Sequence, residues 1–587
     1  MRRGRGTVLL AALLALLAPA GTAGAQEGVD ASSCLQYGTS GTTSPGTFEA
    51  RPDEVAELRS KVDGVAIQIG IVRPKAPKGY RAPVIGLAST YLPVDFAEED
   101  LSECAPWFVE NFVPHGYAVA LISVRGTGNS GGCHNLLGDL EQADLSQAIT
   151  YLGTRKWSNG RVGLYGASYD GGTQWSAAAT GNRHLKTIVP ASGVPDLYDL
   201  AYAGGTYDWR WWLFVPGYYH LYGFGESNPA AGREPDRWLE GATNCSDLDA
   251  AYQATVESFA TGAPDSRGYW TERSHRRDVE RRYRGSVLLI QGLQDWNVRP
   301  ASNIPWGPRL ARRGIEVKQL LGQWSHSVPD VENGHSRWDF ADVALNWFDR
   351  HLKGRDVDTG PPVEIEDASG RWRAEASWPP ANDTEWGIGG DAPSDPLLAP
   401  DTRSRYYFVS EAPGLETTTD WLPVPGPVDE LCVTCAAFSW DAGDGLRISG
   451  LPEVRVRATP TGRTGHVTAA LYRRDAELGL KRIGWGMTDL RFPEGEGAYG
   501  DRPRPIEPGV PVDVTVRMEP MDAVVEPGEQ VVLILGQGQS GGQSPGQPPA
   551  PVRVALGAGR ATLRLALVDP PASSFFTPPA APPRTVG

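Results

Sequence analysis

Gly166-Ala167-Ser168-Tyr169-Asp170-Gly171-Gly172 follows directly on the β-prone run Val162–Tyr165. A strand that turns sharply into a helix can hold a serine at the apex, provided the neighbours are small. Gly166, Ala167, Gly171 and Gly172 meet that condition, although Asp170 stands where the usual motif has its second glycine. The hydroxyl would then sit beside a helix N-terminus, which favours developing negative charge. Its chemistry would be nucleophilic attack on an acyl carbon. A free serine is a weak nucleophile, so that reading demands a histidine base and a carboxylate to orient it. An ordinary Gly-rich turn demands neither.

Both partners are present at strand ends. The apolar run Ser286–Gln291 leads into Gly292-Leu-Gln-Asp295-Trp296-Asn-Val298. The run Glu316–Leu321 leads into Gly322-Gln-Trp-Ser-His326. In an open α/β sheet, functional side chains stand at the carboxyl ends of the strands. The order Ser168, Asp295, His326 is that of α/β-hydrolases. The competing histidines are placed less well: His115 precedes a strand, His351 lies in a helix pattern, and His466 belongs to a β-rich region. His335 is the nearest alternative to His326.

These segments resemble the X-prolyl dipeptidyl aminopeptidase and cocaine-esterase group of α/β-hydrolase serine hydrolases. The resemblance rests on Gly166-x-Ser168-Tyr169-x-Gly171, Gly292-Leu-x-Asp295-Trp-Asn-Val298 and Trp324-Ser-His326. Val124-Arg-Gly-Thr-Gly-Asn-Ser-Gly-Gly132 and Trp347-Phe-Asp-Arg-His-Leu-Lys-Gly354 add to it. It implies that Tyr91, in Ala88-Ser-Thr-Tyr91, supplies its hydroxyl to an oxyanion hole. The second donor expected there is the backbone N–H of Tyr169, the residue after the nucleophile. The Asp295 segment leans to the peptidase branch and Trp-Ser-His to the esterase branch. The long N-terminal helical domain of the bacterial peptidases has no counterpart here.

The elements needed to position these residues follow a βαβ order. Val65, Ile67, Ile69 and Ile71 alternate as in a half-buried strand. Pro83–Leu87 and Tyr117–Val124 are continuous apolar runs, as central parallel strands are. Leu145, Ala148, Ile149 and Leu152 mark one face of a helix. The pattern predicts a doubly wound α/β sheet, with its core over 26–199 and 284–356 and the helix Trp338–Leu352 at its end. An aromatic-rich insertion, 200–283, is expected as a cap. Its Trp211, Trp212 and Tyr219, together with Trp296, offer an apolar pocket. Asp208 is a candidate carboxylate for a substrate ammonium, and Glu226 is another.

After Gly354, short β-prone runs punctuated by prolines predict an antiparallel β-sandwich of jelly-roll type over 357–569. The Pro/Ala-rich tail 570–587 is expected to be disordered. Arg125 in Arg-Gly-Thr-Gly is expected in a structural ion pair rather than as a substrate ligand, and the Gly-x-Gly element there lacks the lysine and spacing of a phosphate-binding loop.

The first 25 residues read as a signal peptide: basic Met1–Arg5, apolar Val8–Leu17, small Ala23-Gly-Ala25. Their removal takes three arginines and no acid, moving net charge from −15 to −18. So acidic a surface disfavours nucleic acid. A secreted, extracellular chain with no membrane attachment after cleavage is expected. Its six cysteines then default to disulfides. No second Cys or His pair accompanies Cys432-Val-Thr-Cys435 at zinc spacing, so neither metal nor cofactor is expected.

Two functional classes follow. One is a secreted serine hydrolase acting on a small peptide, as an X-Pro dipeptidyl peptidase, or on an ester, as an acyl esterase. The other is a secreted binding protein with a vestigial hydrolase domain. Oligomeric state is not encoded in any of these patterns.

Overall fold

The computed structural model describes residues 38–92, 101–208, 253, 268–295, 297–330, 337–389, 396–399, 434–494, 503–537, 542–543, 550–557 and 559–579. The expected signal peptide, Cys34, Cys245, Cys432, Trp211, Trp212, Tyr219, Glu226, Trp296 and His335 lie outside these residues.

The apolar runs form one sheet. Its strands are β1 (Glu54–Arg59), β2 (Ala66–Val72), β3 (Ala82–Ser89), β4 (Ala118–Ser123), β5 (Ser158–Ala167) and β6 (Leu185–Ala191). Two short strands, β7 (Tyr202–Ala203) and β8 (Thr206–Asp208), pair with each other outside it. The sheet resumes with β9 (Ser286–Gly292), β10 (Val317–Gly322), β11 (Val363–Glu366) and β12 (Trp372–Glu375). The spatial order is β1-β2-β4-β3-β5-β6-β9-β10-β11-β12, with Phe575–Phe576 on the far edge. From β4 to β11 every pairing is parallel. β3, β4 and β9 are buried along their whole length, which explains their unbroken apolar character.

Alternate residues feed two cores. Leu164 and Leu289 point to the face packed by Leu145, Ile149 and Leu152 of helix α1 (Asp139–Thr154) and by Trp175 of helix α2 (Tyr169–Ala179). Tyr165 and Ile290 point to the other face, against Trp107, Phe108, Phe340 and Phe348. Helix α3 (Phe340–Phe348) runs on into a wider π turn, Asp349–Lys353, and ends at Gly354 in the left-handed region. Arg125 is buried and bonds Asp144 at 2.8 Å and Asp63 at 3.0 Å, the structural ion pair expected of it.

The sandwich core joins two antiparallel sheets, built around strands Glu453–Pro460 and His466–Asp475. Two corrections concern its limits. β11 and β12, expected in the sandwich, extend the hydrolase sheet. Glu364 of β11 is buried between Lys318, at 2.5 Å, and Arg337. The tail, expected to be disordered from 570, carries a 3₁₀ turn at Ala572–Ser574 and a short strand at Phe575–Phe576. Its Phe575–Phe576 pairs with Trp372–Arg373, and Arg371 lies 4.5 Å above the Phe575 ring.

Candidate active site

Ser168 adopts φ 58° and ψ −123° between β5 and α2. A non-glycine residue there stores about 1–3 kcal/mol of strain, which the surroundings must over-determine. They do so through small residues and hydrogen bonds. A Cβ on Gly166 would stand 2.7 Å from the Asp170 Cβ, and one on Gly171 would stand 2.5 Å from the Gly193 Cα. Ser168 N–H donates to Ala191 O at 2.9 Å. The buried Gln174 clamps α2 to the sheet, donating to Gly166 O at 3.1 Å and accepting from Val189 N at 2.9 Å.

Asp295 and His326 are brought together. The His326 Nδ1 lies 2.9 Å from Asp295 Oδ2 and 3.1 Å from Oδ1. Asp295 is 3 % exposed. Its Oδ1 accepts from Asn297 N and Val298 N, each at 2.9 Å, and its Oδ2 from Gln291 Nε2 at 3.1 Å. Four donors on a buried carboxylate fix its orientation. A hydrogen bond from Nδ1 to the carboxyl group puts the ring proton on Nδ1 and leaves Nε2 as the acceptor nitrogen.

The glycines ending β9 and β10 let the two loops touch. They are opposite each other, Gly292 against Gly322. A Cβ on Gly292 would meet Trp324 O at 2.2 Å, and one on Gly322 the Trp324 ring at 2.0 Å. Leu293 N donates to Gly322 O and Gln294 N to Trp324 O, at 2.7 and 3.1 Å. Trp324 itself is buried in the core. The Ser168 elbow joins this lacing through β6, where Ser192 N donates to Ile290 O at 2.9 Å.

Tyr91 leaves the end of β3, the strand beside β5. It is half-buried, packed against both the sheet core and the cluster that holds Tyr169. The Tyr169 ring is buried, and its hydroxyl donates to Glu141 Oε2 at 2.8 Å. Leu137 N donates to that hydroxyl at 3.0 Å. Leu136 and Leu137 are both left-handed, at φ 49° and 62°. Burial pushes the Glu141 carboxyl up to about 7, against the hydrogen bonds from Tyr169 and Leu137.

Asp208 ends β8, whose backbone pairs with Gly542–Gln543 of the sandwich region. The other pocket candidates, Trp211, Trp212, Tyr219 and Trp296, lie outside the described residues. Among the rival histidines, His115 meets Thr42 and His466 meets Gln537 O, both away from these loops. Sequence reasoning missed Gln291, Gln323, Glu141 and His134, whose ring centroid lies 5.2 Å from that of Tyr169. The signal for Gln291 was a polar residue closing the apolar run Ser286–Ile290. Cys104, Cys133 and Cys435 are disulfide-bonded.

Comparison with known proteins agrees with this architecture. The family profile described as X-Pro dipeptidyl-peptidase (S15 family) matches residues 63–328. The profile for the X-Pro dipeptidyl-peptidase C-terminal non-catalytic domain matches 355–558. A putative Xaa-Pro dipeptidyl-peptidase of Streptomyces avermitilis is 30% identical over 454 residues, which cover 70% of this chain and 61% of that protein. The cocaine esterase of Rhodococcus sp. (strain MB1 Bresler) is 26% identical over 460 residues, 70% of this chain and 75% of that protein. A CocE/NonD family hydrolase from Staphylococcus aureus superposes with a TM-score of 0.62 at 17% identity, covering 88% of this chain and 94% of that one. The chain belongs to the X-Pro dipeptidyl-peptidase and cocaine-esterase group of α/β-hydrolases.

Proposed function

We propose that the chain is a secreted serine hydrolase that releases X-Pro dipeptides from peptide N-termini. The observation that carries this reading is the buried Asp295 holding His326, with a strained serine elbow at the same end of one sheet. Ser168 Oγ attacks the scissile carbonyl and gives its proton to His326 Nε2. Asp295 stabilises the imidazolium. Tyr91 and the Tyr169 N–H receive the oxyanion, and His326 returns the proton to the leaving amine. Water then hydrolyses the acyl-enzyme by the same base.

The peptidase branch is supported by the two family segments, both of X-Pro dipeptidyl-peptidase type. A free substrate ammonium requires a carboxylate partner, and Asp208 is the candidate. Acyl esterase activity is the second reading. The likeness to cocaine esterase supports it, because it spans more of that protein than the likeness to the Streptomyces peptidase spans of its own. Secretion is supported by the signal-like first 25 residues and by the disulfide-bonded cysteines.

The test is a substrate panel on the purified chain. Alanyl-prolyl anilide should be hydrolysed, with strong loss when its amino terminus is acetylated. Equal rates on the two, or turnover of simple esters alone, would sink the peptidase reading in favour of the esterase. A chain that fails to label with a fluorophosphonate would instead return the vestigial-domain reading.

A further inference from the structure

The sandwich meets the two loops that carry Asp295 and His326 at a corner, the turn that leads into strand Met521–Val525. Glu519, in that turn, is buried. Its Oε2 accepts from Ala301 N at 2.8 Å, and its Oε1 accepts from Arg299 Nη1 at 3.4 Å. Asp522 O, three residues on, accepts from Gln323 Nε2 at 3.2 Å. Gln323 precedes His326 by three residues, and its Oε1 accepts from Gln294 Nε2 at 3.0 Å. One sandwich corner therefore holds the acid loop at Arg299–Ala301 and the base loop at Gln323, and Gln294 bridges the two.

These ties bear directly on Asp295. The carboxylate fixes its own loop as far as Val298, through Asn297 N and Val298 N. Arg299 is the next residue, so its position is transmitted without slack. Arg299 also reaches Asp199 O and Tyr202 O, at the start of the insertion. Among the described residues of the sandwich, Glu519 is its hydrogen-bond partner. Arg299, Ala301 and Glu519 line a cavity of about 580 Å³, and a smaller pocket of about 40 Å³ separates Asp295 and Pro300 from Trp485 and Glu519. With that much open space, shape packing cannot replace the lost hydrogen bonds.

We infer that Glu519 is a positioning residue: from the C-terminal domain it sets the Asp295–His326 geometry, acting through Arg299 and Ala301. The inference rests on the serine hydrolase reading above, though not on the choice between peptide and ester.

The experiment uses the full chain as Glu519→Ala, Glu519→Gln and Gln294→Ala. Each is measured for thermal midpoint, kcat and KM on the substrate that wild type turns over, acylation rate with a fluorophosphonate, and the pH profile of that rate. Rates are expressed per folded molecule. Glu519→Ala should lose on the order of tenfold to a hundredfold in acylation rate, mostly in kcat rather than KM. Its acid limb should move to lower pH, because a displaced carboxylate stabilises the imidazolium less. Glu519→Gln keeps one acceptor for Ala301 N and should recover part of the rate. Gln294→Ala leaves the buried carboxylate in place, so it reports even where Glu519→Ala fails to fold, and should lose several-fold. The inference is overturned if the acylation rates of the folded variants and their acid limbs match wild type while only the melting point falls. Wild type that does not react with the fluorophosphonate overturns the hydrolase reading itself, and this inference with it.

Discussion

Asp295→Asn is the sharpest test of the site, because the surroundings dictate how the amide must sit. Oδ1 accepts from Asn297 N and Val298 N, while Oδ2 faces Gln291 Nε2 at 3.1 Å and His326 Nδ1 at 2.9 Å. The amide oxygen must stay with the two backbone donors, so the NH₂ falls at Oδ2 and points at the Gln291 amide. Gln291 cannot flip to relieve this. Its Oε1 accepts from Asn303 Nδ2 at 2.8 Å, and its Nε2 also donates to Val298 O at 3.1 Å. Two opposed buried donors cost about 1–3 kcal/mol, which a typical stability of about 5–15 kcal/mol survives.

The larger effect is on the base. An NH₂ at 2.9 Å forces His326 to accept at Nδ1, so Nε2 carries the proton and cannot take one from Ser168. The wrong tautomer costs about 10⁴ in kcat in a comparable triad, or about 5.5 kcal/mol of barrier. Single-turnover acylation of folded Asp295→Asn, checked by near-UV circular dichroism, measures it. A rate within tenfold of wild type would refute the assignment of Asp295 and, with it, the tautomer argument for His326.

Tyr91→Phe should lower kcat by about 10²–10³ with an unchanged melting point if its hydroxyl meets the oxyanion, and a loss below threefold would remove Tyr91 from that role. Gly171→Ala sets a helix-propensity gain of about 1 kcal/mol against a backbone contact at 2.5 Å with the Gly193 Cα. Overpacking costs about 1–3 kcal/mol, so denaturant titration should show net destabilisation, and acylation should slow as the elbow shifts. Glu141 sets a pH dependence. Its folded value of about 7 lies above the ordinary 4.5, so its contribution to stability is full below pH 4.5 and is lost as pH rises through 7. Denaturant midpoints at pH 4.5 and 8 should therefore differ less in Glu141→Gln than in wild type, by up to about 3 kcal/mol, and an identical difference in both would refute the assignment.

Sequence located the candidate residues better than the framework around them. Ser168, Asp295 and His326 each follow an apolar run long enough to be a buried strand, and glycines at 166, 171, 292 and 322 mark the close approaches that the structure shows. The supports were hidden because their value lies in distant partners. Gln291, Gln323 and Glu519 look like ordinary polar residues until the fold brings Asn303, Glu366, Asp522 and Arg299 to them. β11 was misassigned for a related reason. In Val363-Glu-Ile-Glu366 both acids are buried, and a local hydrophobicity pattern cannot register a charge neutralised from another strand. In the tail, proline and alanine dominate the composition and outweigh the two phenylalanines that pair with β12.

Those hidden supports also decide where one domain stops and the next begins. The second family segment begins at residue 355, yet the hydrolase sheet takes β11, β12 and Phe575–Phe576 from beyond that point. Cutting there would leave β10 as an open edge. It would also leave Lys318 and Arg337 buried without Glu364, and removing one partner of such a pair costs several kcal/mol. Farther along the junction, Asp522 of the sandwich is fully buried between Arg373 of β12 and Arg447, which in turn bonds Asp367 at 2.8 Å. The same Asp522 offers its carbonyl to Gln323. The junction that closes the sheet and the corner that meets the acid and base loops are thus one continuous polar network. The serine elbow, by contrast, is held by residues of the hydrolase sheet and its own helix. The Ser168 elbow thus draws its hydrogen bonds from the first segment, whereas the loops that carry Asp295 and His326 also bond to the second.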